Sequence, residues 1–280
     1  MTVFQSIILG IVQGLGEFLP ISSTAHLAII PYFFNWKDPG LGFDVALHVG
    51  TLIALILFFW KDWKQIIFNF QFSIFNKFSK SKFPNKKNLP DANSYLQNTN
   101  LLWLIIIATI PGVIFGVLFE SKAETVFRSP LLIAFTLAVM GLILFLVDKY
   151  AGKIKDINKV TIKDSILIGI SQAIAIIPGV SRSGATITAG RACGMNRKDA
   201  ARFSFLLSAP IIFGAAALKL PKLFSQGIDL NIIIGIFFSA LSGYLAIKYL
   251  LKFVEKYSYA IFFWYRLGLA VVIASFYFLK

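Results

Sequence analysis

The sequence predicts an all-α integral membrane protein with about six transmembrane helices and two re-entrant helical hairpins in an inverted repeat. Three observations predict this fold class. Hydrophobic residues make up 57% of the 280 residues and charged residues 14%, whereas soluble domains are about one quarter charged. Several apolar stretches approach the ~20 residues that a helix needs to cross a bilayer. Two further apolar segments are interrupted by proline and hydroxyl residues, and they resemble each other in sequence.

Uninterrupted apolar stretches define the spanning helices. They occupy residues 42–60, 101–119, 131–147, 232–251 and 260–279. The only long connector, residues 61–100, carries seven lysines and two aspartates, and Pro84 and Pro90 break any continuous helix there. Because loops rich in lysine and arginine stay on the cytoplasmic side of a membrane, we predict that this connector is a cytoplasmic basic loop.

Charge and cysteine content argue against other classes of protein. The formal net charge of +14 would suggest nucleic-acid binding in a soluble protein. Here the lysines lie in the loops between apolar segments, so we expect membrane lipid and no nucleic acid as a partner. Cys193 is the only cysteine, which leaves no intramolecular disulfide and no thiolate metal cluster.

The two interrupted segments predict the hairpins. Residues 3–34 are broken at Pro20, and residues 165–193 are broken at Pro178 and Gly179. Non-helical backbone at membrane depth is tolerated only where it is buried in protein or lines a wet cavity. We therefore expect each segment to be a re-entrant hairpin, which returns to the side of the membrane from which it entered. We expect the functional site at the two breaks.

An internal repeat relates the hairpins. At an offset of 159 residues, the segment 6–13 aligns with 165–172, with paired Ser, Gly and Gln residues. The single membrane domain, residues 1–280, then consists of a first half at 1–119 and a second half at 160–280. The predicted topology inverts one half relative to the other, and inverted repeats with broken helices place a binding site near the midplane where the breaks meet.

The first hairpin carries candidate metal-binding and reactive residues. Gln13 and Glu17 are four residues apart and share a helix face, where they could hold a hard divalent cation, Mg²⁺ or Ca²⁺. Ser22, Ser23 and Thr24 precede a new helix, so they either cap it or bind phosphate at its N-terminus. His26 is the last reactive candidate. It could relay a proton or attack phosphorus, or it could simply satisfy a buried hydrogen bond.

The second hairpin carries Arg182 between Ser181 and Ser183. Arginine in an apolar hairpin requires an anion, and its planar fork matches two phosphate oxygens. A structural ion pair with Glu17 is the alternative. The remaining polar candidates are interpreted as structural: Arg191, Arg197 and Arg202 as topology anchors near the inner boundary, and His48 as a core histidine without polar neighbours.

The segments 13–26, QGLGEFLPISSTAH, and 178–186, PGVSRSGAT, closely resemble the two signature motifs of the undecaprenyl pyrophosphate phosphatases, the bacitracin-resistance family. The resemblance extends over the whole chain. It implies a multi-pass enzyme of the bacterial plasma membrane, commonly a homodimer, that converts undecaprenyl diphosphate to undecaprenyl phosphate and so recycles the lipid carrier of cell-wall synthesis. The topology favours an active site on the outer side.

The resemblance also implies roles for residues of both motifs. Metal binding falls to Gln13 and Glu17. Catalytic roles fall to Glu17, Ser23, His26 and Arg182, and phosphate binding falls to Ser22, Thr24, Ser181, Arg182, Ser183 and Thr186. For the nucleophile we favour His26 acting with Glu17, with Ser23 and an activated water as rivals. A polyprenyl-phosphate transporter or flippase that uses the same site is the alternative function, because carriers share this architecture.

Overall fold

The computed structural model describes residues 1–78, 100–124, 129–152, 155–225 and 229–279. Within these ranges the chain forms eleven α-helices and a short 3₁₀ helix at Ile157–Lys159. The α-helices are α1 (Val3–Phe18), α2 (Ser23–Phe34), α3 (Leu41–Phe58), α4 (Trp60–Phe78), α5 (Leu101–Glu124), α6 (Pro130–Tyr150), α7 (Ile162–Ile174), α8 (Arg182–Ala192), α9 (Arg197–Ser225), α10 (Leu230–Lys256) and α11 (Ala260–Leu279).

Five of these helices are long and apolar enough to cross a membrane: Leu101–Phe119, Pro130–Tyr150, Arg197–Lys219, Leu230–Lys256 and Ala260–Leu279. The pair Gly42–Phe58 and Trp60–Phe72, which is bent by 72° at the break between them, makes a sixth span if the two helices are counted as one. The predicted fold class, an all-α membrane protein with about six spans, is confirmed. The inside and outside assignment of the loops stays a prediction.

The predicted connector at 61–100 begins as a helix rather than a loop. Helix α4 continues from the bend to Phe78, whereas Pro84 and Pro90 lie outside the described residues. The bend itself is buried. Phe59 is fully inaccessible to solvent and packs 6.4 Å, ring centre to centre, from Phe205 of α9, so tertiary packing decides where the helix turns.

The two interrupted segments fold alike, as helix, break and helix. Helix α1 begins with a capping box formed by Thr2 and Gln5, and α7 begins with a capping box formed by Thr161 and Asp164. These four residues correspond at the offset of 159 residues. Each capping box satisfies two backbone N–H groups that a helix start leaves open. The local structure therefore repeats together with the sequence.

Each half of the chain supports the hairpin of the other half. The most extensive helix contact of α1 is with α10, and that of α7 is with α5. Two equivalent glycines permit these contacts. A Cβ atom on Gly10 would lie 2.6 Å from the Gly235 carbonyl oxygen, and one on Gly169 would lie 2.6 Å from the Ala108 carbonyl oxygen. Small residues allow such close backbone approach in membrane helices. The hairpin of each half is therefore packed against a helix of the other half, and we call this arrangement the exchange of hairpins.

A buried ionic cluster joins α6, α8 and α9 at the end of the bundle remote from the breaks. Arg191 is fully buried, and its Nε lies 3.0 Å from Oδ1 of Asp148. The Nε of Arg197 lies 2.8 Å from the same oxygen, and the Tyr259 backbone N–H donates to Asp148 Oδ2 at 3.1 Å. Arg191, interpreted from the sequence as a boundary anchor, is thus a buried ion-pair residue, and its position relative to the membrane boundary stays a prediction. Arg202, also expected at the boundary, pairs with Asp62.

Candidate active site

The hairpin breaks present two equivalent helix N-termini. Ser22 caps α2 with φ at 72°, and Ser181 caps α8 with φ at 70°. Non-glycine residues adopt this left-handed region uncommonly, so the same unusual turn has been built twice. Ser22 Oγ accepts from the Ala25 N–H at 3.4 Å, and Ser181 Oγ accepts from the Gly184 N–H at 3.1 Å. The remaining N–H groups of each first turn can serve an anion.

The two breaks contact each other directly. The Gly179 N–H donates to Ser22 Oγ at 3.1 Å, and Ser183 Oγ donates to the Leu19 carbonyl at 3.2 Å. Ser22 also lies 3.2 Å from Thr24 Oγ1. The expectation that the breaks of both hairpins meet is thus realised, and hydroxyl groups of both halves form the seam.

Glu17 is the centre of the polar cluster. The residue is 7% exposed, and Oε1 accepts from Arg182 at 2.8 Å. Its other oxygen, Oε2, accepts from Ser23 Oγ at 2.8 Å and from Gln13 Nε2 at 3.1 Å, while His48 Nε2 lies 3.3 Å away. Hydrogen bonds to an ionised carboxylate are short and strong. This arrangement holds Ser23 Oγ with its proton directed at a carboxylate.

Arg182 makes the ion pair with Glu17 that the sequence offered as an alternative to phosphate binding, but it has donors left over. One terminal nitrogen donates to the Ser204 carbonyl at 2.9 Å, and the buried Nε has no partner among the residues that the structure describes. Thr186 Oγ1 lies 2.6 Å from Ser204 Oγ and donates to the Arg182 carbonyl at 2.8 Å. Thr186 therefore supports both the backbone of Arg182 and Ser204, the residue whose carbonyl accepts from the Arg182 side chain.

A cavity of about 320 Å³ opens on this cluster. Its polar lining comes from Glu17, Ser22, Ser23, Thr24, His48, Ser181 and Arg182, and its apolar lining includes Val45, Ile176, Ile211, Ile212 and Ala215. Ser183, Thr186 and His26 do not line it. One end is polar and the walls are apolar, so the cavity suits a ligand with an anionic head and a hydrocarbon chain.

His48 was expected to lack polar neighbours, and that expectation is wrong. Its Nδ1 lies 2.7 Å from the Asp44 carbonyl, which can only accept a hydrogen bond, so Nδ1 donates. Its Nε2 faces Glu17 and the cavity. The spacing of Asp44, His48 and Thr51 along one face of an apolar helix was the signal that sequence reasoning passed over.

His26 is oriented away from Glu17. Its Nδ1 lies 2.7 Å from the Ser22 carbonyl, and its Nε2 lies 2.7 Å from the hydroxyl of Tyr265 on α11. Both ring nitrogens are thereby engaged, and among the described residues no hydrogen bond joins His26 to Glu17. Of the candidate nucleophiles, Ser23 is the one that contacts Glu17. Sequence reasoning missed Tyr265, and its neighbour Arg266 could have been noticed as the single arginine of an apolar span.

The family profile described as bacitracin resistance protein BacA matches residues 6–272. The chain belongs to this family. It is 51% identical over 280 residues to a protein of Moorella thermoacetica named undecaprenyl-diphosphatase, covering 100% of both chains. It is 48% identical over 277 residues to a protein of that name from Pelotomaculum thermopropionicum, covering 98% of this chain and 97% of the other. A third, from Caldicellulosiruptor bescii, is 48% identical over 283 residues, covering 100% and 99%.

The sequence motifs lead us to expect a divalent cation at Gln13 and Glu17, and the residues of the site can be compared with that expectation. The described residues contain no group of three His, Cys, Asp or Glu side chains that could enclose one. They do offer Glu17 Oε1, which accepts a single bond, and the buried Gln13 Oε1, which has no partner. Mg²⁺ is commonly bound by one or two carboxylates together with substrate phosphates and water. The residues therefore fit a cation shared with a phosphorylated substrate.

Proposed function

We propose that this protein hydrolyses undecaprenyl diphosphate to undecaprenyl phosphate and inorganic phosphate. One observation carries the proposal: Ser23 and Arg182, from opposite hairpins, both bind Glu17 at the polar lining of a cavity that also has apolar walls. A diphosphate head with a polyprenyl tail matches the polar end and the apolar walls. The names of relatives that align over the whole chain agree with this activity.

Phosphate binding falls to the two helix N-termini and to Arg182. The open N–H groups after Ser22 and Ser181 and the positive ends of both helix dipoles favour an anion between them. Arg182 has an unpartnered Nε, and its terminal nitrogens can exchange the Ser204 carbonyl for phosphate oxygens. Ser183 and Thr186 support this surface from outside the cavity. Fixed donors of this kind stabilise charge that develops on the transferring phosphoryl group.

Ser23 is the nucleophile that the contacts favour. Its Oγ attacks the terminal phosphorus and forms an O–P bond, while the bond from that phosphorus to the bridging oxygen breaks and undecaprenyl phosphate leaves with the electron pair. The Ser23 proton passes to Glu17 Oε2, 2.8 Å away. Water then hydrolyses the phosphoserine and releases inorganic phosphate, with Glu17 relaying the proton. Direct attack by water activated by Glu17 is the rival route, and His26 is placed to orient Ser22 rather than to attack.

A divalent cation, Mg²⁺ or Ca²⁺, shared between Glu17 and the diphosphate with the Gln13 amide oxygen one helical turn away, would neutralise phosphate charge. The same proposal places the protein in the bacterial plasma membrane with its site on the outer side. The lysine-rich segment at 61–100 supports this orientation, because such segments stay inside. A homodimer is included on the family resemblance alone.

Purified protein in detergent tests the activity, because transport across a membrane cannot occur there. We expect release of inorganic phosphate from undecaprenyl diphosphate, loss of release with a chelator, and losses of at least about a hundredfold in Glu17→Ala and Arg182→Ala. Thr188→Ala is the matched control, since the Thr188 hydroxyl donates to the Gly184 carbonyl of its own helix and Thr188 does not line the cavity. Folded wild-type protein that releases no phosphate with either Mg²⁺ or Ca²⁺ present would overturn the proposal.

A further inference from the structure

Arg266 of α11 is a fully buried arginine that binds both hairpin breaks. Its side chain is 0% exposed. One terminal nitrogen donates to the Pro20 carbonyl at 3.3 Å, and the other donates to the Gly179 and Val180 carbonyls at 2.7 Å and 3.1 Å. Pro20 and Gly179 are equivalent at the repeat offset of 159 residues. A single guanidinium therefore bridges the same carbonyl of both halves.

Helix α6 supplies the remaining partners of Arg266. Its Nε donates to the Leu137 carbonyl at 3.0 Å, and a terminal nitrogen approaches the Thr136 carbonyl at 3.4 Å. Gly141 lets the arginine stem pass, because a Cβ there would lie 3.3 Å from Arg266 Cβ. The guanidinium is thus fixed against a third element that belongs to neither hairpin, and it cannot follow either break independently.

The positive charge of Arg266 has no counterion in the part of the chain that the structure describes, where all its hydrogen bonds go to backbone carbonyls. Arg191, which is equally buried, pairs with Asp148. A buried charge is costly unless it is compensated. Arg266 lies against the first turn of α8, since a Cβ on Gly184 would be 3.0 Å from Nη1 of Arg266. An anion bound at that turn would supply the missing compensation.

The carbonyl contacts also turn a backbone N–H group away from Arg266. In a trans peptide the carbonyl of one residue points opposite to the N–H of the next. Arg266 holds the Val180 carbonyl, so the Ser181 N–H points away from the arginine. Ser181 lines the cavity, and its N–H is not used by the Ser181 side chain, which accepts from Gly184. The arginine therefore withdraws carbonyl oxygens that would repel phosphate.

We propose that Arg266 is a positioning residue for the phosphatase reaction. It locks the two phosphate-binding turns to each other through equivalent carbonyls, and it places an uncompensated positive charge behind the diphosphate site. This inference rests on the proposed function for its turnover readouts. Binding of the headgroup is measured separately from turnover, so that part of the inference does not rest on the proposed function.

The test compares Arg266→Lys, Arg266→Gln and the control Arg191→Lys in purified protein. Each variant is scored for its folded fraction by size exclusion and melting temperature, for kcat and KM per folded molecule, and for affinity for inorganic pyrophosphate by thermal shift with Mg²⁺. Pyrophosphate carries the headgroup without the lipid. Arg266→Gln is expected to weaken pyrophosphate binding about ten- to a hundredfold, because the bound anion loses the buried positive charge behind its site.

Arg266→Lys keeps the charge but not the fork. We expect pyrophosphate affinity within about threefold of wild type and kcat at least about tenfold lower, because the turns lose their common anchor. Arg191→Lys is expected to lower the melting temperature and to leave kcat and pyrophosphate affinity per folded molecule unchanged. If Arg266→Gln does not fold, Arg266→Lys decides: wild-type kcat in that variant overturns the proposal. Unchanged pyrophosphate affinity in a folded Arg266→Gln also overturns it, whether or not the wild type releases phosphate.

Discussion

Removal of the Ser23 hydroxyl separates a serine nucleophile from direct attack by water. Within the described part of the chain, Ser23 Oγ makes one hydrogen bond to a protein group, the 2.8 Å bond to Glu17. If that bond only orients Glu17, Ser23→Ala forfeits one charged hydrogen bond, about 1.5–3 kcal/mol. This corresponds to a ten- to roughly hundredfold loss of kcat. If Ser23 is the nucleophile, its removal abolishes the covalent route, and losses above about a thousandfold are expected.

The assay is phosphate release per folded molecule, paired with acid quenching during turnover and mass spectrometry of the peptide that contains Ser23. We expect Ser23→Ala to fall more than about a thousandfold and wild-type protein to carry a phosphoryl group on Ser23. Ser171→Ala is the matched control, because Ser171 bonds the Ile168 carbonyl of its own helix and does not line the cavity. A Ser23→Ala variant that retains about a tenth of the activity would refute the serine mechanism.

Two further changes probe the contacts around the site. His48→Ala should lower kcat about tenfold in the phosphate-release assay, because Glu17 loses one of its partners at Oε2, and His48→Gln should recover most of it by supplying an amide donor; equal activity of His48→Ala and wild type would contradict the role. Gly169→Val should lower the melting temperature in detergent by a destabilisation of about 1–3 kcal/mol, because its Cβ would meet the Ala108 carbonyl at 2.6 Å. Gly116→Ala, which has open space around it, should leave the melting temperature unchanged. Equal melting temperatures of Gly169→Val and wild type would show that the close contact of Gly169 with Ala108 is not required.

Local signals predicted the hairpins and their meeting point. Pro20 and the pair Pro178 and Gly179 stop helices, and the serines that follow restart them, so both breaks could be placed from sequence spacing. The repeat then predicted that Glu17 and Arg182 would meet, and the structure joins them at 2.8 Å. These features depend on neighbours in the chain or on the duplication, and both are visible in the sequence.

Long-range partners were harder to predict. The spacing of Asp44, His48 and Thr51 marks a polar helix face, but it does not identify the partner of His48, Glu17, which comes from another helix. His26 sits beside Ser22 in the motif, yet Tyr265, more than two hundred residues away along the chain, determines where its ring points. The bend at Phe59 follows from packing on Phe205, whereas the charged residues after it suggested a loop. Periodicity and composition carry no information on such pairings.

The exchange of hairpins between halves has a consequence for biosynthesis. Helix α1 leaves the ribosome well before its main packing partner, α10, which lies more than two hundred residues later in the chain. Until α10 is inserted, the Glu17 turn has no settled environment, and Arg182 has no fixed site to approach. A nascent chain thus carries no working centre until α10 has been made and inserted. Separately expressed halves should be inactive alone and should regain activity only when they are produced together in one membrane.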